Sequence, residues 1–234
     1  MKRISFIFIL FLVSSGTLLG QKTEVSLQGT TTFSAFGGAN ATRTSGMLVS
    51  GDGSDNYTND PYGKYVGVGY GAAIQLQRVT QGRTILGLQT GYEVLRSRVK
   101  ITSVYNIRPE PTPIKSGETV LRNDFININP YAGHRFTIRK IDLDLTGGLE
   151  IAFFQESREK GSVTTANGQT YYSDRERFRP GSDIRGRLNL TGYYKHIGIS
   201  LGYAHGIKNY TPMLEGATLN RYARVVRLGI NYRI

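Results

Sequence analysis

The feature that most constrains this chain is a two-residue alternation of apolar and polar side chains, recurring eight times beyond residue 20. The runs cover residues 25–36, 65–77, 84–96, 121–136, 141–153, 184–194, 197–204 and 222–234. In the second run Val66, Val68, Tyr70, Ala72, Ile74 and Leu76 alternate with Gly67, Gly69, Gly71, Ala73 and Gln75. In the last, Val226, Leu228, Ile230 and Tyr232 alternate with Arg227, Gly229, Asn231 and Arg233. Successive strand side chains point to opposite faces, so this period predicts β-strands, and helical spacing fits none of the runs. A load of 29 Gly and 15 Tyr in 234 residues also disfavours helix and suits crowded β structure.

The connections alternate in length. Tight turns are expected at Thr80-Gln81-Gly82, at 137–140 and at Lys195-His196, whereas 37–64, 97–120, 155–182 and 209–218 are long, polar links. Short turns on one side and long loops on the other describe an all-β, eight-stranded antiparallel up-and-down barrel, and transmembrane barrels show this asymmetry with short periplasmic turns and long extracellular loops. A lipocalin-like soluble barrel would turn its apolar face inward around a ligand; a membrane barrel turns it outward. Two observations favour the membrane polarity. The polar face is rich in glycine (Gly67, Gly69, Gly71, Gly87, Gly91, Gly133, Gly148, Gly198, Gly202 and Gly229), as a narrow interior with alternating small and large side chains requires. The apolar face carries Phe33, Tyr70, Phe136, Phe153, Tyr194, Tyr203, Tyr222 and Tyr232 near strand ends, where amphipathic rings favour a lipid–water boundary.

Residues 1–20 read as a secretory signal peptide. Lys2 and Arg3 precede a short apolar run that ends in Ser14, Ser15 and Gly16, too early for a membrane-spanning helix. Cleavage is placed after Gly20, leaving 21–234 as the barrel domain. The absence of cysteine excludes a disulfide framework, a thiolate metal site, a cysteine nucleophile and an N-terminal lipidated cysteine.

The signal peptide, the eight strands, the segment Phe125-Ile126-Asn127-Ile128-Asn129-Pro130-Tyr131-Ala132-Gly133 and the closing run 226–234 resemble small outer-membrane β-barrel proteins of Gram-negative bacteria. The nearest grouping is the PorT-like barrel-domain family, which shares the eight-strand plan of the OmpA membrane domain. The resemblance implies an outer-membrane location and insertion by the barrel-assembly machinery, and it brings no catalytic residue. Such proteins commonly end in an aromatic residue, whereas this chain ends in Ile234 with Tyr232 two places earlier.

Chemistry-bearing constellations are sparse. His134, His196 and His205 are scattered, without the carboxylate or cysteine spacing of a metal site. No cofactor or metal is expected. His205 is the one candidate base for a surface lipid hydrolase, but an interfacial histidine beside Arg224, meeting lipid phosphates, is the simpler role. The acidic loop 51–60 lacks the spacing and distal glutamate of a calcium loop. Arg158, Lys160, Arg175, Arg177 and Arg179 are either solvated charge or a face for lipopolysaccharide; nucleic acid is not an expected partner of an exported barrel. Counting up each strand places Glu93, Glu150, Arg185, Arg187 and Arg227 at one height on the polar face, where they would close the lumen as an ion-pair cluster, Glu150 with Arg185 first.

The chain is therefore expected to be a non-enzymatic outer-membrane barrel with a structural or loop-mediated recognition role, in contact with outer-membrane lipid and lipopolysaccharide. The alternatives are an accessory subunit of a secretion system in the manner of PorT, a secreted soluble ligand-binding barrel, and an outer-membrane lipid hydrolase.

Overall fold

The computed structural model describes residues 21–50, 55–105, 112–177, 179, 181–210 and 220–234. The expected signal peptide and most of the 209–218 link lie outside these residues. The strands are β1 (Lys22–Gly37), β2 (Thr44–Leu48), β3 (Tyr57–Thr58), β4 (Tyr65–Val79), β5 (Thr84–Tyr105), β6 (Ile114–Ile138), β7 (Ile141–Thr165), β8 (Thr170–Glu176), β9 (Ser182–Tyr194), β10 (Ile197–Gly206) and β11 (Tyr222–Arg233).

Eight of them form a ring in the order β1-β4-β5-β6-β7-β9-β10-β11, and antiparallel pairing of β11 with β1 closes it. Closure leaves none of the eight with a free edge in the body of the ring, which removes the usual template for edge-to-edge aggregation. The alternation decides which face goes where. Leu190, Leu228 and Ile199 point away from the ring at 45%, 48% and 72% exposure, while Gln77, Gln89 and Asn231 point inward at 1%, 5% and 1%. The ring is thus inside-out relative to a water-soluble barrel: apolar side chains coat its exterior and polar ones fill it. Leu145 pairs with Leu190, Leu190 with Leu201 and Leu201 with Leu228, so a row of leucines crosses four adjacent strands on the outer face.

Inward glycines make room for large lumen side chains. A Cβ at Gly87 would fall 2.3 Å from the Tyr131 ring, and one at Gly148 would fall 2.2 Å from the Pro130 carbonyl oxygen. Tyr131 pairs with both Gly87 and Gly148, so the two glycines flank it across neighbouring strands.

The long-loop side departs from the sequence expectation. Residues 97–120 and 155–182 do not form plain loops there: β5 runs on to Tyr105, β6 starts at Ile114, β7 continues to Thr165, and β8 pairs back on β7. Within 37–64, β2 pairs in parallel with the extension of β5, and β3 pairs with β2. The physical reason is a second small core. Met47, Val49, Val99, Ile101, Val104 and Val163 are buried together, with Ile114 and Tyr171 against them. These apolar residues are interleaved with Arg, Lys, Ser and Thr, so local polarity masks the continuing period.

Candidate functional site

The barrel lumen holds the densest constellation of functional groups, stacked in layers. The middle layer contains Glu93 of β5, Glu150 of β7, Asp183, Arg185 and Arg187 of β9 and Arg227 of β11. Register sets Glu150 directly beside Arg185 on adjacent strands. Arg185 Nη1 donates to Glu150 Oε1 at 3.0 Å and reaches across the lumen to Glu93 Oε2 at 3.1 Å. Arg227 donates Nε to Glu93 Oε1 at 2.6 Å, and its Nη2 serves Glu93 Oε2 and Glu150 Oε1, both at 2.8 Å. Arg187 Nη1 donates to Glu150 Oε2 at 2.8 Å, and its Nε donates to Asn189 Oδ1 at 3.0 Å. The five residues singled out in the sequence therefore meet in one network.

Asp183 joins them although strand counting leaves it out: its Oδ2 accepts from Arg185 Nε at 2.5 Å and from the Tyr210 hydroxyl at 2.7 Å. With it the layer holds three arginines and three carboxylates, so it is neutral as a whole. That balance matters because an unmatched charge taken out of water costs several kcal/mol. A cavity of about 20 Å³, room for about one water, lies between Gln28, Gln89, Glu93 and Arg187.

A second ionic layer, also missed, lies near the short turns. Arg135 donates Nη1 and Nη2 to the two Glu24 oxygens at 2.9 and 2.7 Å, and its Nε to Asp144 Oδ1 at 2.6 Å. Gln77 donates to Glu24 and Asp144, and Tyr131 donates to Gln77. Arg233 stacks on Tyr193 at 3.8 Å and donates to Asp142 at 3.3 Å. The signal was available, since Arg135, Asp142 and Asp144 sit on the polar face of their runs. Glu24, however, precedes the first expected strand by one residue, so the set looked incomplete.

On the long-loop side an apolar layer caps the middle network. Phe36, Leu95, Leu121, Phe125, Tyr210 and Ala223 pack with Tyr62 and Phe154. The Phe36 ring lies edge-on to Tyr210 at 4.9 Å and to Tyr62 at 5.1 Å. Tyr210 belongs to both layers, its ring in the apolar cap and its hydroxyl on Asp183. Farther out, Arg221 binds Asp60 at 2.5 Å, and the Thr58 amide donates to Glu159 Oε1 at 2.7 Å. Burial raises the pKa of both Asp60 and Glu159 above ordinary carboxylate values.

His205 and Arg224 are opposite each other on β10 and β11, on the outer face. The His205 ring nitrogen hydrogen-bonds the Tyr203 hydroxyl at 3.0 Å, a neighbour that does not make a serine-hydrolase arrangement. Among the described residues, no three metal-ligating side chains converge. Arg158 and Lys160 pair with Asp174, and Arg175 and Arg177 lie near the Tyr57 ring.

No protein-family profile and no curated protein matches the chain. Similar solved structures include Neisserial surface protein A, at 11% identity, covering 90% of this chain and 98% of that one with a TM-score of 0.38. The attachment invasion locus protein Ail of Yersinia pestis is 12% identical over 93% of this chain and 100% of that one, with a TM-score of 0.35. The translocator domain of the autotransporter NalP from Neisseria meningitidis is 10% identical over 98% of this chain and 95% of that one, with a TM-score of 0.28.

Proposed function

We propose that the chain is an integral outer-membrane β-barrel without enzymatic activity, whose closed lumen makes it a rigid support for an elaborated long-loop end. The observation that carries this is the inside-out ring. A soluble protein that exposed Leu, Ile, Val and Tyr along every strand would aggregate, whereas lipid tails are the natural solvent for such a surface. The apolar belt has the right height. From Val66 to Leu76 the outward side chains of β4 are apolar and exposed, a rise of about 33 Å along the strand that becomes about 25 Å at a tilt of about 40°. Phe136, Tyr194 and Tyr232 lie at the short-turn edge and Phe153 and Tyr203 at the other, all exposed, as interfacial girdles would be.

The short turns then face the periplasm, and the extension built from β2, β3, β8 and the outer parts of β5–β7 stands on the cell surface as the recognition surface. Lipopolysaccharide is the proposed neighbour of this outer edge, with His205 and Arg224 at phosphate depth, and the barrel-assembly machinery the proposed route of insertion. The PorT-like grouping rests on the sequence resemblance of 125–133 and 226–234. The mature chain should sediment with outer membranes, change its gel mobility on boiling in detergent, and show no steady single-channel conductance in planar bilayers. Recovery as a soluble periplasmic monomer would overturn the proposal, and stable conductance would overturn the closed lumen.

A further inference from the structure

The three short turns share a trait that neither barrel closure nor turn geometry requires. Arg83, Arg139 and Lys195 each have positive φ, at 61°, 55° and 54°, where a Cβ is disfavoured and Gly or Asn normally serves. The same uphill choice, always a cation, recurs at three separate turns. Lys140 adjoins Arg139, and all four side chains are exposed. Among the described residues of this end the side-chain carboxylates are Glu24, Asp142 and Asp144, and each is already engaged by Arg135 or Arg233. The opposite end differs, because there exposed cations are interleaved with acids: Arg98 with Glu118, Arg122 with Asp124 and Lys160 with Asp174.

Depth identifies the partner. Ile138, Ile141, Tyr194 and Ile197 face outward at 58%, 45%, 54% and 61% exposure, one or two residues from Arg139, Lys140 and Lys195, Leu86 does so at 56% three residues from Arg83, and Lys195 Nζ lies 5.7 Å from the Tyr194 ring centre. The charges therefore sit just beyond the apolar belt, at headgroup level, spaced around the mouth by the ring order of the hairpins β4–β5, β6–β7 and β9–β10.

We propose that Arg83, Arg139, Lys140 and Lys195 form a binding collar for the phosphates of anionic phospholipids in the leaflet at the short-turn end. The inference rests on the membrane-barrel function above and names a lipid class for it. Long cationic side chains there keep their stems against apolar surface and their heads among phosphates. The collar also anchors the barrel vertically, since moving it inward would drag four charges into the hydrocarbon.

The test uses the full mature chain in phosphatidylcholine bilayers, with spin-labelled phosphatidylglycerol or phosphatidylcholine, and reads the motionally restricted lipid by electron spin resonance. The expected result is about threefold or greater preference for phosphatidylglycerol at low salt, weakened by high salt. The R83N/R139N/K140N/K195N variant should lose that preference. Asn tolerates positive φ, so the turns are retained, and heat-modifiable mobility checks the fold. The charge-keeping R83K/R139K variant should retain the preference. Equal restriction of both lipids by the parent protein, or an undiminished preference in the Asn variant, would overturn the collar. So would charge-dependent capture of a soluble acidic peptide with no lipid selectivity, which would mark the turns as a protein-docking face. Absence of any restricted lipid is a separate outcome, which would overturn the membrane assignment and the collar with it.

Discussion

Replacing Glu150 with Gln tests the lumen network at its most connected point. Glu150 is fully buried and accepts from Arg185, Arg187 and Arg227 at 3.0, 2.8 and 2.8 Å. Gln keeps the shape but removes one of three negative charges from a layer that also holds three arginines. Two consequences follow. Three charge-assisted hydrogen bonds become weaker neutral-acceptor bonds or are lost, and one guanidinium charge is left unmatched away from bulk water. Stranding a buried charge costs about 3–5 kcal/mol. Asn127 and Asn189 line the same layer and temper that cost, so the lower half of the range is expected. The assay is equilibrium urea unfolding of the barrel in phospholipid vesicles, read by tyrosine fluorescence and gel mobility. The double variant E150Q/R187Q should cost less than the sum of the single changes, because the second removes part of the excess charge left by the first. An E150Q variant within about 0.5 kcal/mol of the parent, the size of an ordinary surface change, with strict additivity in the double variant, would refute a dry, coupled network.

Leu190→Arg should destabilise the barrel by about 2–4 kcal/mol in vesicles, because Leu190 lies in the outward leucine row; a cost no greater than that of a loop substitution would refute the face assignment of β9. Gly148→Ala should cost about 1–3 kcal/mol by overpacking, since its Cβ would meet backbone at 2.2 Å, whereas Gly29→Ala should be neutral because its Cβ meets nothing within 4 Å; parallel urea titrations of the two variants check this. The Glu159 carboxyl should titrate above the ordinary value of 4.5, because burial disfavours its charged form. The folded state therefore holds a proton that the unfolded chain has released, so the long-loop end should gain stability as pH falls from the raised pKa towards 4.5 and lose it as pH rises through that window. Carboxyl carbon NMR checks the midpoint, and a midpoint at or below 4.5 would refute the account of burial.

Strand count and face assignment were legible in the sequence because the two-residue period is local. The runs kept their alternation through the membrane-facing stretch, although Phe36, Ile85, Leu95, Leu121 and Phe125 are buried apolar residues of the interior, and the tight turns 80–82, 137–140 and 195–196 set neighbours together. The middle ionic layer was legible by the same counting, since Glu150 and Arg185 lie at equal distances from a shared end. Other features resisted for physical reasons. The strand extensions beyond Arg96 and Phe153 bury Val99, Ile101 and Val163 against Met47, a contact set by a segment distant in sequence that no local pattern announces. Glu24 and Arg233 lie at strand margins, where alternation gives no boundary, so the second ionic layer could not be assembled by counting. Asp183 precedes the sixth expected run by one residue, so counting left it out although it binds Arg185 two residues on, and its second partner, Tyr210, belongs to a different segment.

The most direct test of the central claim is a site-directed spin-label scan of β9, helped by the absence of native cysteine. Single cysteines at each position from 184 to 194 would carry a nitroxide, with the barrel in vesicles, and collision rates would be measured with oxygen and with a water-soluble nickel chelate. Oxygen accessibility should peak at the even positions 184, 188, 190 and 194, with little nickel contact near 190. Asp183, Arg185 and Arg187 mark the odd face, which should be shielded from both reagents. Nickel accessibility peaking at the even positions, or no difference between the two reagents, would place the apolar face in water and contradict the account.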